Sequence, residues 1–272
     1  MSSTATLTDN DLLKSIERIQ GIKLDDGSSY TVVDCDSTLS DMIDTLANLP
    51  VTPPSIYVDL EGVHLSRQGT ISILQLYVLP KDWTYLIDVH QLQHTAFSTT
   101  GKRSGKCLKA ILEAEDIPKV FFDVRNDSDA LFHHFQISLS GVHDVQLMEV
   151  ATRRGNRRCV NGLQRCIDNN AVMTAAKRRA WNAAKDEGRK LFAPEKGGRY
   201  EVFNDRPLAK EIIQYCVQDV QFLPQLWSYY NNRLSANWKT KVREETKERV
   251  SLSQSKNYEG HGRHMALAPT GW

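Results

Sequence analysis

The chain has 272 residues, 40% of them hydrophobic, with 34 Lys and Arg against 33 Asp and Glu and a formal net charge of +1. That length and apolar content can bury one sizeable core, and no apolar run approaches the ~20 residues a membrane-spanning helix needs, which excludes a helical membrane protein. A near-neutral total also excludes a uniformly basic polyanion binder, so any such surface must be local.

Residues 1–29 are rich in Ser, Thr and Asp and read as a peripheral segment, with one short amphipathic stretch over 12–19. Residues 30–33 read as a strand, and 40–49 as a short helix that stops before Pro53-Pro54. Three strands follow at 56–60, 71–78 and 84–88, joined by a loop around Gly69 and by Pro80-Lys81-Asp82, which is the pattern of a meander. Next come a helix at 108–114, a strand at Val120, a helix beginning near Asp127 and a short strand at 142–145 leading into another helix. Beyond that point the periodicity is helical only, including a charged helix over 238–250, and a tail to residue 272 reads as a lid, a docking tail or disorder. The composite is α/β, a mixed sheet flanked by helices, with one domain over 30–234, a basic helical insertion at about 151–200, and a charged helix with tail over 235–272.

Three acidic patches stand at the ends of these elements. In Ile56-Tyr57-Val58-Asp59-Leu60-Glu61 the two carboxylates are at i and i+2, so a strand points both to one face. Lys119 to Phe132 reads as a buried strand running into a helix, with Asp127 in the first turn and Leu131 four residues on; Asp123 and Asp129 compete with Asp127 for any ligand role. Tyr215 and Asp219 are four apart on a helix that repeats Leu208, Ile212, Cys216, Val220 and Leu223, so phenol and carboxylate address one site. Each patch alone is more often a solvated strand end, a helix-start carboxylate or a core tyrosine beside a surface charge. Four carboxylates converging together would raise one another's pKa, and divalent cations are what stabilises such a set.

In this order the patches resemble the DEDD superfamily of 3′ to 5′ exonucleases, in the tyrosine (DEDDy, RNase D-like) branch. The sibling branch has histidine five residues before the last aspartate, where this chain has Gln214. The likeness spans about 30–232, and the wording of the second patch is closest to Egalitarian-like and fungal 3′-5′ exonuclease domain proteins. It implies a ribonuclease H-like (DnaQ-like) fold. It also implies that Asp59, Glu61, Asp127 and Asp219 hold two Mg²⁺ or Mn²⁺ ions and that Tyr215 orients the attacking water. The expected reaction is hydrolysis of single-stranded RNA or DNA, RNA preferred, from the 3′ end to nucleoside 5′-monophosphates. Some relatives have lost carboxylates and act as RNA-binding adaptors without turnover, whereas this chain keeps all four. Phe122 stands where close relatives often have histidine.

Charge is concentrated in residues 151–200, which hold thirteen Lys and Arg against four Asp and Glu, an excess of nine that leaves about eight negative charges elsewhere. Arg153, Arg154, Arg157, Arg158, Lys177, Arg178 and Arg179 are the candidates for guiding a polyanion, and Trp181, Phe192, Tyr200 and Phe203 lie among them as stacking or packing residues. The five cysteines form no Cys-x-x-Cys and are expected as reduced thiols in an intracellular protein, nuclear or cytoplasmic. His133-His134 reads as a helix-surface pair without chemistry.

Overall fold

A computed structural model describes residues 22–24 and 27–272; the 12–19 stretch lies outside the described residues. Among the described residues seven strands form one mixed sheet: β1 (Ile22–Lys23), β2 (Ser29–Val33), β3 (Ile56–Glu61), β4 (Ile73–Val78), β5 (Trp83–Asp88), β6 (Lys119–Phe121) and β7 (Val142–Asp144), in the order β1-β2-β5-β4-β3-β6-β7. β3, β4 and β5 pair antiparallel as the expected meander, while β2–β5, β3–β6 and β6–β7 are parallel. β4 is buried at all six positions, as a strand covered on both faces must be. The two-residue β1 was not foreseen, because so short a pairing leaves no period to read; it places Ile22 and Lys23 on the sheet edge beside β2.

Strand alternation sorts β3 between two layers. Ile56, Val58 and Leu60 enter one core with helices α1 (Asp36–Leu46), α2 (Val89–Leu92), α3 (Thr95–Ser98), α4 (Leu108–Glu113) and α5 (Arg125–Phe135). Tyr57 enters the opposite core with α6 (Val145–Thr152), α7 (Leu163–Asn170), α8 (Ala175–Phe192) and α10 (Leu223–Asn231). By the period of two, Asp59 and Glu61 share the Tyr57 face. On that face α9 (Lys210–Gln221) buries Ile212, Cys216 and Val217 against Ile73 and Leu86.

The last helix, α11 (Ala236–Gln254), is part of the same body: Val242 and Val250 enter the two cores, and Ser235 caps its first turn by accepting from Trp238 N. The tail is packed. Tyr258 OH donates to Asn126 Oδ1 at 2.8 Å, Lys241 Nζ donates to the Gly271 carbonyl at 2.8 Å, and Trp272 sits edge-on to Trp238. All five cysteines are free thiols. No described helix is long and apolar enough to cross a membrane.

Candidate active site

Asp59 and Glu61 project from the end of β3 and Asp219 from the last turn of α9, so that one carboxylate oxygen of each lies within 4.8 Å of the others. Asp127, in the first turn of α5 and 5% exposed, stands outside that trio but close enough for the Asp59 charge to raise its pKa. All four are shifted the same way. Asp59 is pushed up to about 8, first by desolvation and then by Asp219. Glu61 and Asp127 are held well above the carboxylate range, and Asp219 is raised, in each case chiefly by burial. Such a set cannot ionise fully without added positive charge.

Local structure explains why Asp127 and not its neighbours faces this group. Asp123, at φ 63°, turns the chain between β6 and α5 and is gripped by Arg125 through two bonds of 2.6 Å. Asp129 accepts from Arg67 Nε and from Arg67 N, both at 2.7 Å. The two competitors are therefore neutralised by arginines. Asp144 ties the turn down, accepting from Asp123 N and Val124 N and pairing with Arg249 Nη1 at 2.7 Å.

The cation inside the cage comes from the basic segment. Lys185, in the middle of α8, places its ammonium on Asp219 Oδ1 and 3.4 Å from the centroid of the Tyr215 ring. Gly188 lets the helices approach this closely, since a Cβ there would stand 2.7 Å from Tyr215 Cβ. Tyr215, one turn before Asp219, packs edge-on against Phe192 at 4.9 Å. Its own pKa is pushed well up by burial and by Asp219 and Glu61.

The residues fit a divalent cation. Their donors are all oxygens, the preference of hard ions such as Mg²⁺ and Mn²⁺. Asp219 Oδ2 is buried and accepts no well-aligned hydrogen bond among the described residues, although the Tyr215 hydroxyl is close enough to favour the ionised carboxylate. Asp59 and Glu61 are half-buried.

The sequence pattern of the 3′-5′ exonuclease family matches residues 30–235. The chain belongs to that family. Among solved structures it is similar to RNase D of Trypanosoma brucei in complex with RNA U12, at TM-score 0.69 and 21% identity over 88% of this chain and 76% of that one. It is also similar to the catalytic core of RRP6 from Trypanosoma brucei, at TM-score 0.58 and 17% identity over 85% and 54%. A third likeness is to Escherichia coli RNase D, an exoribonuclease involved in structured RNA processing, at TM-score 0.56 and 18% identity over 83% and 51%. No curated protein matches the chain. These likenesses are of fold, and the mixed sheet flanked by helices is the ribonuclease H-like exonuclease architecture that the sequence pattern implied.

In this member of the family the basic candidates divide by partner. Arg153 pairs with Glu149 and donates to the Asn156 and Cys159 carbonyls. Arg157 donates to the Arg153 and Ala151 carbonyls and lies 4.7 Å over Trp238. Arg178 pairs with Asp168, and Lys177 lies 5.9 Å from the Phe222 ring centroid. Arg154, Arg158 and Arg179 are exposed. Trp181 and Phe203 are buried, while Phe192 and Tyr200 are half-buried and pack on one another. His133 and His134 are likewise engaged, with Asp129 and the Ser66 carbonyl.

Sequence reasoning missed Lys185 and Gln75. Gln75 pairs with Asp59 across β3 and β4 and is fully buried beside the Cys216 thiol. The signal for Lys185 was present: Trp181, Lys185 and Gly188 are the buried residues of α8, at the i, i+4, i+7 spacing of one helix face.

Proposed function

We propose that this chain is a metal-dependent 3′ to 5′ exonuclease of the tyrosine type, acting on single-stranded nucleic acid with RNA preferred and releasing nucleoside 5′-monophosphates. The observation that carries the reading is the convergence of Asp59, Glu61 and Asp219 oxygens within 4.8 Å, with Asp127 beside them. In this reading Asp59, Glu61, Asp219 and Asp127 would together hold two Mg²⁺ or Mn²⁺ ions. When bound, the ions supply positive charge beside the attacking and leaving oxygens of an in-line displacement and make water a stronger nucleophile.

The chain's own residues do the positioning. Tyr215, with a pKa far above neutrality, donates a hydrogen bond that orients the attacking water and does not act as a base. The aliphatic floor under β3 and the helix α9 hold the carboxylates in register, so little reorganisation is needed when the phosphodiester arrives. Substrate electrostatics come from the exposed arginines of the 151–200 segment, Arg154, Arg158 and Arg179. The test is of direction: an oligonucleotide labelled at its 3′ end should release labelled mononucleotide first, while a 5′-labelled one shortens as a ladder. Internal fragments from both labels would contradict the reading.

Lys185 favours a second reading, an RNA-binding adaptor without turnover. Its ammonium neutralises Asp219 in the way a metal ion would. The adaptor reading requires that divalent ions fail to displace it, leaving RNA binding unchanged by EDTA.

A further inference from the structure

Away from the carboxylates, the ends of α6 and α10 and the flank of α7 enclose a cavity of about 590 Å³, within the size range of ligand sites. Arg154, Arg165 and Arg233 stand on its rim, all exposed, and none of them forms an ion pair with a carboxylate of the described residues. The acid in the wall, Glu149, is already paired with Arg153 and accepts a hydrogen bond from Asn161 Nδ2 at 3.0 Å. Arg233 is held in place, its guanidinium carbon 3.4 Å from the centroid of the Tyr229 ring and its Nη1 donating to the Tyr229 carbonyl at 2.8 Å. Tyr229 is itself partly open at the cavity.

Three guanidiniums without carboxylate partners around one concavity repel one another unless an anion joins them. Their planar forks match phosphate oxygens. We propose that this cavity is a second binding site for single-stranded nucleic acid, gripping backbone phosphates of the strand behind its reacting end. The inference rests on the exonuclease reading above. None of the lining residues belongs to the carboxylate group, and a whole helix, α10, about 14 Å long at 1.5 Å per residue, runs between α9 and Arg233. The site therefore acts on strand capture, not on the bond being cut.

The test uses the full chain carrying Asp59→Asn, so that the ligand survives, and single-stranded RNA of ~12 nucleotides, inside the usual range for single-strand grooves. Binding is followed by fluorescence anisotropy as salt is raised. Adding Arg165→Gln and Arg233→Gln should raise Kd roughly tenfold and lower the slope of log affinity against log salt by about 1.4, at ~0.7 for each phosphate that is no longer neutralised. Arg165→Lys with Arg233→Lys keeps the charge and should restore the slope, which a misfolded protein would not do. A Gln variant with the parent's Kd and slope overturns the second site while leaving the exonuclease reading intact. Equal loss in the Gln and Lys variants also overturns it, since charge would not be the cause. A parent that binds no single-stranded nucleic acid overturns both.

Discussion

The ammonium of Lys185 rests on the carboxylate of Asp219, and it reaches there from α8, a helix of the basic insertion at about 151–200. Both side chains are over nine-tenths buried. Lys185 is thus a resident cation in a site whose donors suit a divalent one, and it occupies an oxygen that an ion would use.

Lys185→Met should therefore tighten divalent-ion binding by roughly tenfold while destabilising the metal-free protein by about 3–5 kcal/mol, because a buried carboxylate loses its partner. Mn²⁺ titration by calorimetry and thermal unfolding in EDTA read the two effects. Unchanged or weaker Mn²⁺ affinity would show that Lys185 supports the site instead of competing for it.

Tyr215→Phe keeps the ring that packs on Phe192 and under Lys185 and removes only the hydroxyl. The single-turnover rate should fall by about 10²-fold with RNA affinity nearly unchanged. A loss of affinity with an unchanged rate would assign the hydroxyl to substrate binding.

The carboxylate shifts set a pH dependence. Asp59 titrates near 3.8 as a free group and is pushed up to about 8 in the fold, so the folded state holds its proton more tightly than the unfolded chain. Between those values only the unfolded chain has released it, and metal-free stability falls as pH rises from about 4 to about 8. The limit is about 1.4 kcal/mol per pH unit, and partial solvent access and coupling bring the loss to roughly 2–3 kcal/mol. Saturating Mn²⁺ should remove this decline, because binding expels the proton. Urea unfolding at the two ends of the window, with EDTA or Mn²⁺, measures it; a flat EDTA profile would contradict the shifts.

Arg249→Met tests whether α11 belongs to the body that carries the four carboxylates. It leaves Asp144, fully buried, without its ion pair and loosens the turn that leads into Asp127. The expected cost is about 3 kcal/mol, read by chemical denaturation. A cost below about 0.5 kcal/mol would make α11 an appendage.

The parts of the site that follow a local period were legible in the sequence. Asp59 and Glu61 obey strand alternation, and Tyr215 and Asp219 obey the helical i, i+4 rule. Asp123 is gripped by its near neighbour Arg125, but Asp127 could be separated from Asp129 only by a partner distant in the chain, Arg67, 62 residues from Asp129. No local pattern carries that pairing. Lys185 was hidden among thirteen basic residues, of which it is the one buried, and the arginine cavity is assembled from α6, α7 and α10. The tail showed no period because its order comes from single contacts such as Tyr258 with Asn126 and Trp272 with Trp238.

The most direct measurement of the central claim is a time course on 3′-labelled single-stranded RNA with Mg²⁺, Mn²⁺ or EDTA, comparing the natural chain with Asp59→Asn. The natural chain should release mononucleotide from the 3′ end with either ion and none in EDTA, and Asp59→Asn should release none while still binding the RNA. Degradation by Asp59→Asn at the natural rate, or no cleavage by the natural chain with either ion, would contradict that claim.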